Sequence, residues 1–215
     1  MKVVIAGSTG MVGSLVLNHC LHSEDISEVV SLVRKTTKLE HPKLTEVVVE
    51  DFEDYSSHER IFQEVDSAFF CVGVYTGQVA DELFKKITVD YAVKFAAALK
   101  ANSPSATLCF LSGAGADRTE KSRTAFARYK GMAENQIQKL DLRFYAFRPG
   151  YIYPVEPRNE PNLMYRVTRT LYPIIRMFGK GASIKSTELA SAMFNVAKKG
   201  AEKGVLENRG ILEYV

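Results

Sequence analysis

The stretch 2–17, KVVIAGSTGMVGSLVL, decides the fold. Val3, Val4 and Ile5 form a short apolar run rich in β-branched residues, which predicts a buried strand. The run ends at Gly7, and further glycines follow at Gly10 and Gly13. Ser14, Leu15, Val16 and Leu17 then begin a helical pattern. A strand, a glycine turn and a helix start are the parts of a dinucleotide-binding unit. Glycine lets the backbone turn tightly and lets a pyrophosphate approach main-chain N–H groups, and the positive end of the helix dipole faces the anion. The spacing is G-x-x-G-x-x-G, not the G-x-G-x-x-G of the common dehydrogenases.

Bulk properties narrow the function classes. A chain of 215 residues, 46% of them hydrophobic, suffices for one α/β domain with a substantial core and a small appended lobe. The net charge of +3, from 28 basic and 25 acidic residues, is too balanced to argue for nucleic acid. No apolar run approaches the ~20 residues that span a bilayer, so no membrane partner is expected. The N-terminal apolar run passes straight into the glycine turn, unlike a signal peptide. Cys20, Cys71 and Cys109 are far apart and odd in number, without zinc or disulfide spacing. They predict buried free thiols in a reducing, cytoplasmic setting, and no metal.

Along the chain, strands are expected at Val29–Val33, at Val47, Val48 and Val49, at 67–74, at Thr107–Leu111 and at Phe144–Phe147. Helices are expected over 15–21, from Ser56 or Ser57 to Val65, and over 83–100, 126–140, 163–178 and 186–199. Ser186 or Thr187 offers cap chemistry at the start of the last of these, with Lys198, Lys199 and Gly200 at its end. Pro173 should break or kink the 163–178 helix, whose Arg166, Arg169 and Arg176 read as a solvated face or an anion-facing lid. Val205, Leu206 and Glu207, and then Ile211 and Leu212, read as terminal strands or extended segments. Strands and helices alternate six times with short connections. The fold class is therefore α/β: a Rossmann-like, doubly wound parallel sheet with helices on both faces and a small C-terminal, substrate-side extension. A single domain over 1–215 is expected, with 151–185 as its lid region.

In such a sheet, ligands lie at the carboxyl ends of the strands. The end of the second strand meets the adenosine ribose. An acidic residue there suits NAD, whereas a basic one accommodates the 2′-phosphate of NADP. The position holds Arg34, with Lys35 beside it, so NADP(H) is the expected cofactor. Asp51 and Phe52, after the third strand, are placed at the adenine edge and face.

Several stretches occur in the order seen in one family: GSTGMVG (7–13), SLVRK (31–35), EDFEDY (50–55), FFCVGVYTG (69–77), ITVDYAVKFAAALK (87–100), LSGAGAD (111–117), FRPG (147–150) and VLENRGI (205–211). The chain resembles the atypical short-chain dehydrogenase/reductases, most closely the Tat-interacting oxidoreductase-like branch and its NmrA-like neighbours. The resemblance runs over nearly the whole chain. It implies one Rossmann-like domain that binds NADPH, with contacts from Thr9, Gly10, Met11, Val12, Arg34, Lys35, Val72, Gly73, Lys130 and Ile152. Gly7, Ser8, Gly13 and Pro149 in the same motifs complete the expected cofactor set.

The family's catalytic set is Ser, Tyr and Lys, the last two spaced Y-x-x-x-K. Tyr protonates the substrate carbonyl oxygen, Lys holds the nicotinamide ribose and lowers the Tyr pKa, and Ser holds the carbonyl oxygen. By resemblance, Ser112 or a close neighbour fills the Ser place, and Lys130 fills the Lys place. Four residues before Lys130, however, stands Phe126, which has no proton to give. Tyr129 is no simple substitute, because neighbours on a helix point about 100° apart. Tyr75 or a water remains open as donor. Two functions follow: an NADPH-dependent reductase of a small carbonyl compound, or an NADPH-binding redox sensor or partner-binding protein without turnover. The substrate is not readable, and a homodimer or a protein partner stays open.

Overall fold

A computed structural model describes residues 1–155 and 181–215. The expected helix at 163–178 and its arginines lie outside the described residues. The central sheet is built from β1 (Lys2–Ala6), β2 (Glu28–Val33), β3 (Leu44–Val48), β4 (Ser67–Phe70), β5 (Thr107–Leu111), β6 (Arg143–Arg148) and β9 (Val205–Glu207). Its order is β3-β2-β1-β4-β5-β6-β9 and every pairing is parallel. That is the 3-2-1-4-5-6 Rossmann order with one strand added at the edge. The order reverses between β1 and β4, and there the crevice for a ligand forms.

Side-chain alternation explains why the strands read as continuous apolar runs. Val4 and Ala6 of β1, Phe70 of β4 and Phe110 of β5 face one buried layer. Val3 and Ile5, Phe69 and Cys109 face the other. The first layer is covered by α3 (Tyr91–Asn102) and α4 (Ala125–Gln138), and it carries a run of edge-on aromatic contacts among Tyr55, Phe62 and Phe95. The second is covered by α1 (Met11–His22) and α5 (Ser186–Lys199). A strand buried on both faces cannot show period-two polarity.

Several boundaries differ from the sequence expectation. β3 begins at Leu44 because it pairs with Val29 in register, and as the edge strand it tolerates the polar Thr45 and Glu46. β4 stops at Phe70, where its pairing with Phe110 ends, and residues 71–76 leave the sheet to wall the crevice. Residues 56–62 form a 3₁₀ turn rather than a helix to Val65, and Asp54 Oδ1, not a serine hydroxyl, takes the Ser56 N–H at 2.8 Å. The 83–100 helix is longer and composite: α2 (Asp81–Lys85), a π-helical turn (Lys86–Asp90) and α3. Ser186 is the first residue of α5, not its cap. Glu188 reaches back to the Lys185 N–H at 2.9 Å, while the Ser186 Oγ accepts from the Val155 N–H at 3.2 Å. Ile211 lies in a short helix, α6 (Asn208–Ile211), and not in a strand. A small parallel pair, β7 (Tyr151–Tyr153) and β8 (Ser183–Lys185), stands outside the main sheet. Asn208 ties that pair to the end of β6: its Oδ1 accepts from Gly150 N at 2.7 Å and its Nδ2 donates to Ser183 O at 2.9 Å. Cys20, Cys71 and Cys109 are free, and among the described residues no helix is long and apolar enough to cross a membrane.

Candidate cofactor and substrate cleft

The carboxyl ends of β1, β4, β5 and β6 open into one cleft of about 440 Å³. Its floor at β1 is the glycine turn. Gly7 has φ +87°, and Gly10 N–H donates to its carbonyl at 3.0 Å. A Cβ on Gly13 would lie 2.1 Å from that same oxygen, and one on Gly7 would lie 2.6 Å from the Cys71 carbonyl carbon. The outer glycines therefore permit the turn itself to pack against the end of β4. Gly10 differs from them. It is exposed, it lines the cleft, and it caps α1 with extended backbone and no side-chain cap bond. The first turn of α1 carries no acidic residue, so its amide N–H groups are available to an anion. Met11 and Val12 complete this rim, and Val72 and Gly73 face them.

The opposite wall comes from β5, α4 and the FRPG turn. Ser112, Lys130, Pro149 and Ile152 all line the cleft, so the structure brings most of the predicted site together. Lys130 is 7% exposed; its Nζ donates to Leu111 O at 2.7 Å and lies 4.7 Å from the centre of the Phe110 ring. Burial pushes its pKa down to about 8, against an opposing pull from the Glu134 charge. An amine that titrates there costs the folded state most below that pH. Stability from this group is present above 10.5 and lost as pH falls through about 8. Relative to Lys130→Met, wild type should therefore gain up to about 3 kcal/mol in urea unfolding between those values. A flat difference would show that the amine is not desolvated.

Other predicted residues lie elsewhere. Ser8 is buried and its hydroxyl shares a 2.5 Å hydrogen bond with Ser31, so its side chain pins the turn to β2. Thr9 is exposed. Arg34 and Lys35 are exposed past the end of β2, outside the cleft wall, as is Asp51 after β3. Phe52 is a correction: only 6% exposed, its ring packs against Tyr55 and Tyr91 in the core and offers no face to a base. Tyr129 is turned away as the helix geometry requires. Its hydroxyl donates to Asp81 Oδ2 at 2.6 Å within a separate cluster with Phe84.

Ser112 is in place, but its hydroxyl points inward and donates to Glu134 Oε1 at 2.6 Å. That oxygen also accepts from Arg148 Nε at 2.9 Å; Oε2 accepts from Arg148 Nη2 at 2.6 Å and from Arg118 Nε at 2.8 Å. Sequence reasoning missed this fully buried carboxylate, although it repeats the Phe126–Lys130 interval one turn further along α4. The residue whose side chain would face position 126 is Gly113, because its Cβ would fall 2.3 Å from Phe126 Cζ. Gly131 lets the loop after β5 press on α4, since a Cβ there would meet Asp117 O at 1.8 Å. Cys71 also lines the cleft, but burial pushes its thiol up to about 12, so it presents no thiolate.

A model of an NAD(P)H-binding family matches residues 7–199. The chain belongs to that family. The HTATIP2 protein of Rattus norvegicus is 26% identical over 216 residues, spanning 98% of this chain and 88% of its own. The mitochondrial protein fmp52-1 of Aspergillus oryzae is 26% identical over 165 residues, 74% of this chain and 69% of its own. Among solved structures, Gre2 of Candida albicans in complex with NADPH superposes with a TM-score of 0.73 at 13% identity, over 96% of this chain and 77% of that one. A putative NAD-dependent epimerase/dehydratase from Bacillus halodurans does so with a TM-score of 0.69 at 16% identity, over 100% of both chains. These likenesses agree with the Rossmann-like topology read from the strand order. The glycine turn, the uncapped start of α1 and the buried lysine fit the NAD(P)H that defines the family.

Proposed function

We propose that the protein is an NADPH-dependent oxidoreductase of the atypical short-chain dehydrogenase/reductase type, acting on a small carbonyl compound. One observation carries the reading: the uncapped start of α1 and the buried Lys130 face each other across one cleft at the sheet's switch point. In this reading the first-turn amides of α1 bind the pyrophosphate, the bare Gly10 Cα lets it approach, and Val72, Gly73, Pro149 and Ile152 border the nicotinamide. Lys130 orients the nicotinamide ribose, and Arg34 with Lys35 closes on the 2′-phosphate. When bound, NADPH supplies a hydride. Lys130, held against Leu111 O, keeps its remaining N–H bonds for ribose hydroxyls, and the apolar walls exclude water from the reacting face. The domain is single, with 151–185 as its lid region and a cytoplasmic location, and neither nucleic acid nor membrane is a partner.

Charge-assisted bonds to a phosphate are worth roughly 1.5–3 kcal/mol each. NADPH should therefore bind at least about tenfold more tightly than NADH. Fluorescence titration of both nucleotides tests this, with Arg34→Ala expected to erase most of the preference. Equal affinities, or a preference unchanged in the variant, would end the assignment. A second reading, a redox sensor or partner-binding protein without turnover, is favoured by Phe126. It predicts tight NADPH binding with no oxidation across a panel of aldehydes, ketones and quinones.

A further inference from the structure

We infer that Asn208 is a positioning residue for the nicotinamide half of the cofactor, setting from behind the stretch of wall that this half would meet. The inference rests on the NADPH-dependent reading above and deepens it. Glu207 and Asn208 stand in VLENRGI (205–211), where β9 ends and α6 begins. Neither lines the cleft, yet both hold the turn that does. β9 pairs with β6 in register, Glu207 opposite Arg148, so residue 208 falls beside the turn that follows Arg148. Arg148 Nη1 donates to Glu207 Oε1 at 2.9 Å. One residue on, Asn208 is 3% exposed, and its Oδ1 accepts from Gly150 N at 2.7 Å. Pro149, Gly150, Tyr151 and Ile152 all line the cleft.

An amide suits this place because it both accepts and donates. The Asn208 Nδ2 donates to Ser183 O at 2.9 Å, so one planar side chain meets an N–H of the chain leaving β6 and a C=O of the chain returning at β8. The two limbs press together at that level. A Cβ on Gly150 would lie 2.4 Å from Ala182 O, and Tyr151 N donates to that same oxygen at 3.0 Å. β7 and β8 stand outside the main sheet, so its ladder does not fix them. Asn208 ties both limbs to the edge strand β9. An alanine there would release them and leave a buried N–H and C=O without that partner. The proposed phosphate places, at the start of α1 and at Arg34 and Lys35, follow β1 and β2, with β4 and β5 between them and β6. Asn208 should therefore bear on one half of the nucleotide and not on the other. The coupling is reciprocal: a ligand that settles on this wall tightens the Asn208 clasp by the free energy that the clasp lends to binding.

The probes are NADP⁺ and 2′,5′-ADP, which keeps the adenosine with its 2′-phosphate and lacks the nicotinamide half. Calorimetry on the full chain measures both. Wild type is titrated first: no binding of NADP⁺ fails the cofactor reading itself, and the inference with it. Asn208→Ala should then weaken NADP⁺ roughly tenfold while leaving 2′,5′-ADP within about twofold of wild type. Hydrogen exchange on wild type reads the reciprocal effect without any variant. NADP⁺ should slow exchange over 205–211, outside the cleft, and 2′,5′-ADP should not. Equal losses for the two ligands in Asn208→Ala would show a general weakening of the fold. No loss for either would show a wall that needs no clasp. Either result overturns the inference, as does exchange over 205–211 that both ligands slow equally or that neither slows. Should Asn208→Ala not fold, the exchange result decides alone.

Discussion

Gly10→Val should abolish nucleotide binding, by about 100-fold or more, while leaving the fold within about 1 kcal/mol of wild type. Gly13→Ala should do the reverse, lowering stability first. The difference lies in what each Cβ would meet. On Gly10 its nearest neighbour is Gly7 O at 3.2 Å, a contact that a small shift relieves, and the rest of the side chain would project into the cleft at the start of α1. There it would shield the first-turn amides that the proposed pyrophosphate needs. On Gly13 the Cβ would sit 2.1 Å from Gly7 O and 3.2 Å from Cys71 Cβ. Both are fixed parts of the turn and of the end of β4, so the clash spreads into the sheet. Overpacking of this kind costs about 1–3 kcal/mol, of which the better helix propensity of alanine returns about 1. Each kcal/mol shifts the Tm of a chain this long by about 2–4 °C. Thermal melts paired with NADPH titrations separate the two variants. A Gly10→Val protein that still binds NADPH would place the nucleotide elsewhere.

The fold was legible where local pattern and global topology agree. β5 and α5 have the boundaries expected from apolar runs and periodicity, because their ends are set by turn residues such as Gly200, at φ +79°. β3 was less legible: at the sheet edge, pairing with β2 decides its start more than hydrophobicity does. For the site, the main-chain features were readable. A glycine turn followed by a helix is a local object, and its lining role needs no knowledge of the rest. Side-chain roles were less readable. Phe52 follows the third strand, where an aromatic ring can serve a base or a core, and only the positions of Tyr55 and Tyr91 decide for the core. Ser112 was expected as a substrate contact from the family resemblance of LSGAGAD. Its hydroxyl direction depends on a carboxylate 22 residues later. Glu134 was given no role from the sequence, since glutamates are seldom fully buried unless paired, and its partners come from two other segments. The available signal was its place four residues after Lys130, on the face that also holds Phe126.

The largest expected loss of stability comes from that carboxylate. Glu134 is fully buried, yet four N–H or O–H donors from Ser112, Arg118 and Arg148 converge on it, and Arg148 extends the chain of charges to Glu207 at 2.9 Å. Glu134→Ala leaves the Arg148 guanidinium in a mostly buried site without its inner partner, which should cost about 3–5 kcal/mol. Glu134→Gln keeps the shape but presents amide hydrogens to groups that are themselves donors, so it should also destabilise. Burial alone would raise the Glu134 pKa, but the hydrogen bonds from Arg148, Ser112 and Arg118, with the Arg148 charge, outweigh it and hold the carboxyl below its ordinary 4.5. Its stabilising contribution is therefore fully present above that pH and fades as pH falls through the lower folded-state value. Urea unfolding of wild type and Glu134→Gln should differ most near neutrality and converge in acid. The network is also a unit. Glu134→Leu combined with Arg148→Met should cost less than the sum of the single changes, because removing both charges leaves less buried charge unpaired. Strict additivity, or a gap between wild type and Glu134→Gln that stays constant with pH, would mean that Glu134 supports the fold through its volume alone. In that case Ser112 would hold its place without the charge behind it, and Glu134→Gln would bind NADPH as wild type does.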